Sequence, residues 1–373
     1  MKEWLISIVV MLTAVVSFIR NVSGFSIVQN GRHYGTSVLS MVLPSNPTIA
    51  IVGTGAVGGY YGARLWEAGY NVKFHMRGIQ FQAAKKSGLQ ITSVDGDIHI
   101  PSKVLQAYEQ THEMGQVDWV IVALKSTSLY EIPPLIRPLL HTNTRVLNIM
   151  NGLIEEDFLQ AFMGDSTHLT SCAAVYGGMA LLCSNRVAPA CIEHSYAGQL
   201  SAGIAASSTG TSSVEHQLAF HQLWKPTKVH TTWEESLLRG RWKKNIWNLP
   251  FNGISVAMGG ITIDVVVNDP GLRKLALTVM DETISIANAH LVEKGYDESF
   301  FLGEPEKKQM MDLSDAMGPY RTSTMLDLIE KKKMEVRYLF RIPLRQAERL
   351  DVNVPHFSTL VAQIEAMQRI YNL

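Results

Sequence analysis

The chain has 373 residues, 46% of them hydrophobic, which is enough for two domains that each bury a substantial interior. Lysine plus arginine equals aspartate plus glutamate at 33 each, so no global field draws in nucleic acid or an anionic membrane. The three cysteines, Cys172, Cys183 and Cys191, are odd in number, form no C-x-x-C pair and read as buried thiols; Cys191 with His194 falls short of the four ligands of a closed zinc site, so no metal is expected.

Lys2 precedes an apolar stretch from Trp4 to Ile19, and Val22 and Gly24 supply small residues before Phe25, the pattern of a secretory signal peptide over 1–24. Residues 25–47 are acid-poor and hydroxyl-rich, with Ser26, Thr36, Ser37, Ser40 and Ser45, as in a transit peptide. Together they resemble the two-part presequence of algal plastid proteins imported through the endoplasmic reticulum, with a mature start expected between Phe25 and Thr48. A membrane anchor or a cytoplasmic protein is the alternative, although the apolar stretch is short of the ~20 residues a spanning helix needs. The sequon Asn21-Val22-Ser23 falls inside the segment expected to be removed.

Thr48 to Val52 is a continuous apolar run of the length of a strand buried on both faces, and it ends at Gly53. Helical spacing over Tyr60–Ala68 and a second strand at Asn71–Met76 complete a β-α-β unit. Between the first strand and the helix lies Gly53-Thr54-Gly55-Ala56-Val57-Gly58. There the first glycine permits the tight turn, the second lets the backbone approach a pyrophosphate, and the third lets helix pack on strand. The helix N-terminus adds backbone N–H groups for the phosphates, so a dinucleotide is expected on Gly53, Gly55, Ala56, Val57 and Gly58.

The second strand ends at Met76-Arg77, with no acid between Glu67 and Asp95. A cation rather than a carboxylate at that point favours NADPH over NADH, with Arg77 on the 2′-phosphate or simply on a solvated strand end. Leu89–Ile100 alternates about Asp95-Gly96, a hairpin signal, and buried strands are expected at Val117–Leu124 and Arg145–Ile149. Lys125 and Asn151-Gly152 follow these strands at the carboxyl edge of the sheet, where open α/β folds bind ligands; a surface lysine and an ordinary turn fit equally. Short strands and turns are expected over 164–210.

From Glu234 the periodicity becomes helical: Glu234–Met258, Pro270–Lys294, Glu304–Met317, Thr322–Leu350 and a last helix after Pro355, with the seam between domains at 234/235 and the second domain over 235–373. Lys244, Asn248 and Asn252 stand at i, i+4 and i+8, sharing one face of the first of these helices among Trp242, Ile246, Trp247, Leu249 and Phe251. A lysine flanked by two amides in apolar surroundings needs partners, which a small polar substrate would supply, although a polar helix face is the plainer reading. Pro250 suggests a bend near that site.

The ordered set Gly-x-Gly-Ala-x-Gly-Gly, Lys125, Asn151-Gly152-Leu153, Trp242-x-Lys244-x-x-x-Asn248-x-x-x-Asn252, and Ser323 with Asp327 and Glu335 resembles the ketopantoate reductase family from Thr48 to the C-terminus. The resemblance implies an α/β Rossmann-type dinucleotide-binding domain over 48–234, then an all-α domain of the 6-phosphogluconate dehydrogenase C-terminal type. It implies NADPH-dependent reduction of 2-dehydropantoate to pantoate, in pantothenate and coenzyme A biosynthesis. Lys244 would be the general acid, held in place by Glu335; Asn248, Asn252, Ser323 and Asn151 would bind substrate; Lys125 and Asn151 would lie near the nicotinamide. Without the family, Ser323 reads as a helix N-cap and Glu335 as a solvated acid. Met150, Ile154 and Thr324 depart from the family pattern around this pocket. The implied partner is a 2-oxo acid, with a homodimer left open. A reductase of another 2-oxo acid and a non-catalytic NADPH-binding regulator are the alternatives.

Overall fold

The apolar run at Thr48–Val52 forms β1, buried along almost its whole length because it runs through the middle of a sheet with neighbours on both sides. A computed structural model describes residues 46–164, 171–208 and 211–372; the signal-like segment 1–24 with its sequon, and the transit-like segment up to residue 45, lie outside the described residues. After the glycine turn come α1 (Ala56–Glu67), β2 (Asn71–His75) and α2 (Ile79–Ser87). The hairpin expected about Asp95-Gly96 forms as β3 (Leu89–Ser93) and β4 (Ile98–Ile100), with Leu89 opposite Ile100 and Ile91 opposite Ile98.

Strand β5 (Gln106–Tyr108) pairs with β2, while β6 (Trp119–Val122) and β7 (Arg145–Asn148) continue the parallel sheet on the other side of β1. Helices α3 (Ile132–Ile136) and α4 (Glu155–Met163) cover this edge. The segment rich in small residues becomes one long antiparallel hairpin, β8 (Ala174–Ala188) and β9 (Cys191–Ser207), whose four register shifts let it bend. Helix α5 (Ser213–Trp224), opened by a Ser212–Glu215 capping box, and β10 (Thr231–Trp233) complete the domain. Strand order is β4-β3-β9-β8-β7-β6-β1-β2-β5, with β10 beside β9. The six strands from β5 to β8 are mutually parallel, as a doubly wound dinucleotide-binding sheet requires.

The second domain is helical throughout: α6 (Leu237–Ala257), α7 (Ile263–Asn268), α8 (Pro270–Glu293), α9 (Glu304–Ala316), α10 (Ser323–Ile329), α11 (Ile342–Arg349) and α12 (Pro355–Ile370). Its core gathers Trp242, Ile246, Leu249 and Phe251 of α6 with Val279 and Ile286 of α8 and Phe357 and Ile364 of α12. Helix α6 runs unbroken through Pro250.

The helix expected over Thr322–Leu350 is not continuous. Helix α10 ends in a Schellman arrangement, with Lys331 at φ 52°, Lys332 N–H on the Asp327 carbonyl at 2.7 Å and Lys331 N–H on that of Leu328 at 3.2 Å. An extended stretch follows, then a π-helical turn at Arg337–Arg341 that leads into α11. The break carries Met334, Glu335 and Val336 inward, where all three are buried. Among the described residues, no helix is long and apolar enough to cross a membrane.

Candidate active site

The glycines of the turn do different things. Gly53 has φ +99°, and a Cβ there would lie 2.8–2.9 Å from Leu124 and Ala123, so only glycine lets the chain leave β1 this close to the end of β6. A Cβ on Gly58 would collide with the Gly53 carbonyl oxygen. Gly55, by contrast, meets nothing within 4 Å: it faces open space at the N-terminus of α1, which has no side-chain cap and no acid in its first turn. An uncapped helix N-terminus behind an open glycine is a cradle for a phosphate pair, so these residues fit a dinucleotide.

That open space is part of a cavity of about 700 Å³ between the carboxyl edge of the sheet and the helical domain. Of the residues singled out from the sequence, it brings together Gly55, Ala56, Val57, Lys125, Asn151, Lys244, Asn248, Asn252, Ser323, Asp327 and Glu335. Gly53 and Gly58 shape the turn from behind. Arg77 lies outside the lining, on the exposed chain after β2, where it makes a loose pair with Glu131 at 3.5 Å. The next residue, Gly78, donates its N–H to Glu109 at 2.9 Å.

Lys244 projects from α6 into the cavity, where Nζ donates to Oδ1 of Asn151 at 2.6 Å. Burial pushes its ammonium down to about 7; the neighbouring Arg241 adds to the fall and Glu335 opposes it. Glu335 was expected to hold Lys244 directly, and here the structure corrects the sequence reading. Oε1 of Glu335 accepts the N–H and the hydroxyl of Ser126, at 2.7 and 2.8 Å, and Asn151 is what Lys244 grips. Nor is Glu335 a solvated acid: it is 4% exposed.

Asn248 is buried, and its Nδ2 has no hydrogen-bond partner. Asn252 is engaged at both ends of its amide, Nδ2 to the Asn248 carbonyl at 3.2 Å and Oδ1 from the N–H of Thr324 at 3.3 Å. Ser323 is not the cap of α10: Thr322 caps it, accepting from Met325 N–H at 3.3 Å, which leaves the Ser323 side chain for the cavity. Lys125 pairs with Asp327, whose carboxyl is raised chiefly by burial. Of the departures from the family pattern, Met150 and Ile154 belong to the core of the sheet domain, Met150 also lining the cavity, and Thr324 holds Asn252 through its backbone.

Two further residues hold this geometry. Arg241, one turn before Lys244, is 2% exposed, and its guanidinium reaches Glu155 at 2.7 Å and the carbonyls of Met150 and Gly178 at 2.6 and 3.1 Å. It bolts α6 to α4, to the chain after β7 and to β8. Its place on the Lys244 face of an apolar helix was a usable signal; for Ser126 there was none. His194, weighed beside Cys191 for zinc, instead meets Ser93 Oγ at 2.8 Å and the carbonyls of Tyr196 and Ala197.

A glycine cradle for a dinucleotide, opening into one cavity with a low-pKa lysine and an orphaned amide, defines a nicotinamide-dinucleotide oxidoreductase of the class that acts on CH–OH groups. More narrowly, the chain belongs to the ketopantoate reductase family. The model for ketopantoate reductase PanE/ApbA matches residues 49–207, and the model for its C-terminal part matches 236–368. A 2-dehydropantoate 2-reductase of Nostoc sp. is 33% identical over 320 residues, covering 85% of this chain and 93% of that protein. The crystal structure of 2-dehydropantoate 2-reductase from Geobacter metallireducens superposes with a TM-score of 0.75 at 31% identity, over 86% of this chain and 99% of that one. A D-mandelate dehydrogenase solved with NADH and anilino(oxo)acetate shares the fold, with a TM-score of 0.72 at 19% identity over 87% of this chain and 99% of that one.

Proposed function

We propose that the chain reduces 2-dehydropantoate to pantoate with NADPH, a step of pantothenate and coenzyme A synthesis. The observation that carries this reading is the unpartnered Nδ2 of buried Asn248, in one cavity with Lys244 and the open edge of Gly55. A buried amide donor without a partner costs about 1–3 kcal/mol, a cost that a substrate hydroxyl or carboxylate would remove. The 2-dehydropantoate 2-reductases among its relatives support the same substrate.

Gly55, Ala56 and Val57 would hold NADPH, which would supply the hydride for C2 of the oxo acid. Lys244 then meets the charge that develops on the carbonyl oxygen: held by Asn151, Nζ passes a proton to that oxygen, a general-acid contribution of roughly 10²–10⁴ in rate. Asn248 and Ser323 bind and orient the oxo acid, and Asn252, fixed at both ends of its amide, holds the wall beside them. For the cofactor, Arg77 after β2, in a segment with no acid of its own between Glu67 and Asp95, favours NADPH. Its exposed pair with Glu131 at 3.5 Å is worth at most about 1 kcal/mol and yields readily to a phosphate.

One observation favours a second reading, a bulkier 2-oxo acid: the cavity lining includes the large apolar side chains of Met179, Leu181, Trp247, Met317 and Tyr320. Initial rates with 2-dehydropantoate, 2-oxoisovalerate and phenylglyoxylate, each with NADPH and NADH, separate the readings. The proposal expects the highest kcat/KM for 2-dehydropantoate with NADPH and fails if another oxo acid is preferred.

A further inference from the structure

The carboxyl end of β2 is tied to the glycine turn: the N–H and the hydroxyl of Thr54 both donate to the carbonyl of His75, at 3.1 and 2.9 Å. After Met76 come Arg77 and Gly78, at the strand end where a dinucleotide-binding fold reads the 2′ position of the adenosine ribose. Gly78, at φ +58°, has open space where a Cβ would stand, so a ligand can approach its backbone closely.

The Gly78 N–H is already taken. Strand β5 runs parallel to β2 with Tyr108 opposite His75, so it delivers its next residue, Glu109, to the level of this turn. Oε1 of Glu109 accepts the Gly78 N–H at 2.9 Å, while Arg77 pairs with Glu131 at 3.5 Å. A backbone donor beside a guanidinium is the chemistry of a phosphate seat, and here the protein's own carboxylate sits in it. The segment that follows β2 has no acid of its own; β5 brings one to it.

We propose that Glu109 is a specificity-determining residue for the cofactor: its carboxylate on Gly78 opposes the 2′-phosphate and holds the preference for NADPH over NADH below what Arg77 alone would give. The proposal rests on the reading of Arg77 as the cation for that phosphate. A 2′-phosphate must displace Glu109 from the Gly78 N–H or lie against it, and both cost like-charge repulsion. A 2′-hydroxyl is neutral and can donate to the same carboxylate, the role that an acid at the end of the second strand plays for NADH. His75 does not compensate. It is 2% exposed, and burial, with Arg77 adding to it, pushes its imidazolium down to about 4, so it lends the seat no charge.

Glu109→Gln removes the charge and keeps an amide oxygen to accept from Gly78, so the turn is retained and Tm should stay at the wild-type value. Fluorescence titration of the full chain with each cofactor should then give a Kd for NADPH lower by about threefold to fivefold, the range of one like-charge contact near the surface, and a Kd for NADH changed less than about twofold. Glu109→Ala, which also frees the Gly78 N–H, should tighten NADPH at least as much. The gain should shrink at high ionic strength, because these charges are partly solvated. An NADPH affinity unchanged in Glu109→Gln, a gain that salt leaves untouched, or equal gains for both cofactors overturns the proposal. The titrations contain no oxo acid, so a chain that binds NADPH without reducing 2-dehydropantoate loses only its substrate assignment. Equal losses for the two cofactors in Arg77→Ala remove Arg77 from the seat, and the Glu109→Gln titration still decides the role of Glu109.

Discussion

Nζ of Lys244 and Oδ1 of Asn151 meet at 2.6 Å, although 93 residues separate them in the chain and they belong to different domains. The bond gives the flexible ammonium one address, at the carboxyl edge of the sheet beside the glycine turn. It also means that the acid is assembled only when both domains are docked.

Removing the ammonium should remove the acid and nothing else. Lys244→Ala is expected to lower kcat by roughly a hundredfold or more while NADPH affinity, read by fluorescence titration, stays within a few-fold. Turnover close to wild type would take Lys244 out of the chemistry.

The pH profile follows from the same residue. With its ammonium pushed down to about 7 by burial and by Arg241, Lys244 carries the transferable proton below that pH and has lost it above. Turnover should therefore be full on the acid side and fall as pH rises through about 7, as a single ionisation that Lys244→Ala abolishes. A profile flat to pH 10, near the ordinary lysine value, would contradict it.

Two glycines three residues apart should fail in different ways. Gly55→Ala introduces a methyl into open space, so Tm should stay at the wild-type value while NADPH binding weakens, since the methyl stands where the pyrophosphate approaches. Gly58→Ala drives a methyl into the Gly53 carbonyl and should lower stability by about 1–3 kcal/mol, read as a lower Tm without ligand.

Arg77→Ala should raise KM for NADPH far more than KM for NADH, because only the former carries the 2′-phosphate. Equal changes for the two cofactors would show that the exposed pair with Glu131 is all that Arg77 does.

Arg241→Met leaves Glu155 and the carbonyls of Met150 and Gly178 without their buried partner. Breaking such a network costs about 3–5 kcal/mol, so chemical denaturation should show a large loss of stability. A loss under 1 kcal/mol would mean that water replaces the guanidinium.

What the sequence made legible was local. The five-residue apolar run of β1, the glycine turn and the i, i+4, i+8 row on α6 each declare themselves within a dozen residues. The partners of that row did not, because they come from chain far away: Ser126 and Glu335 are 209 residues apart, and Arg241 reaches Met150 across 91. The break after α10 was hidden for another reason. Lys331, Lys332 and Lys333 are ordinary helix formers, and it is the burial of Glu335 in tertiary structure that overrides their propensity. Hence Glu335 was recognised through family resemblance while its partner was misassigned.

The most direct test adds 2-dehydropantoate to the purified full chain with NADPH and follows nicotinamide absorbance together with pantoate formed. The account predicts one pantoate for each NADPH oxidised, and almost no turnover in Lys244→Ala. NADPH that binds but is never oxidised by 2-dehydropantoate would contradict it.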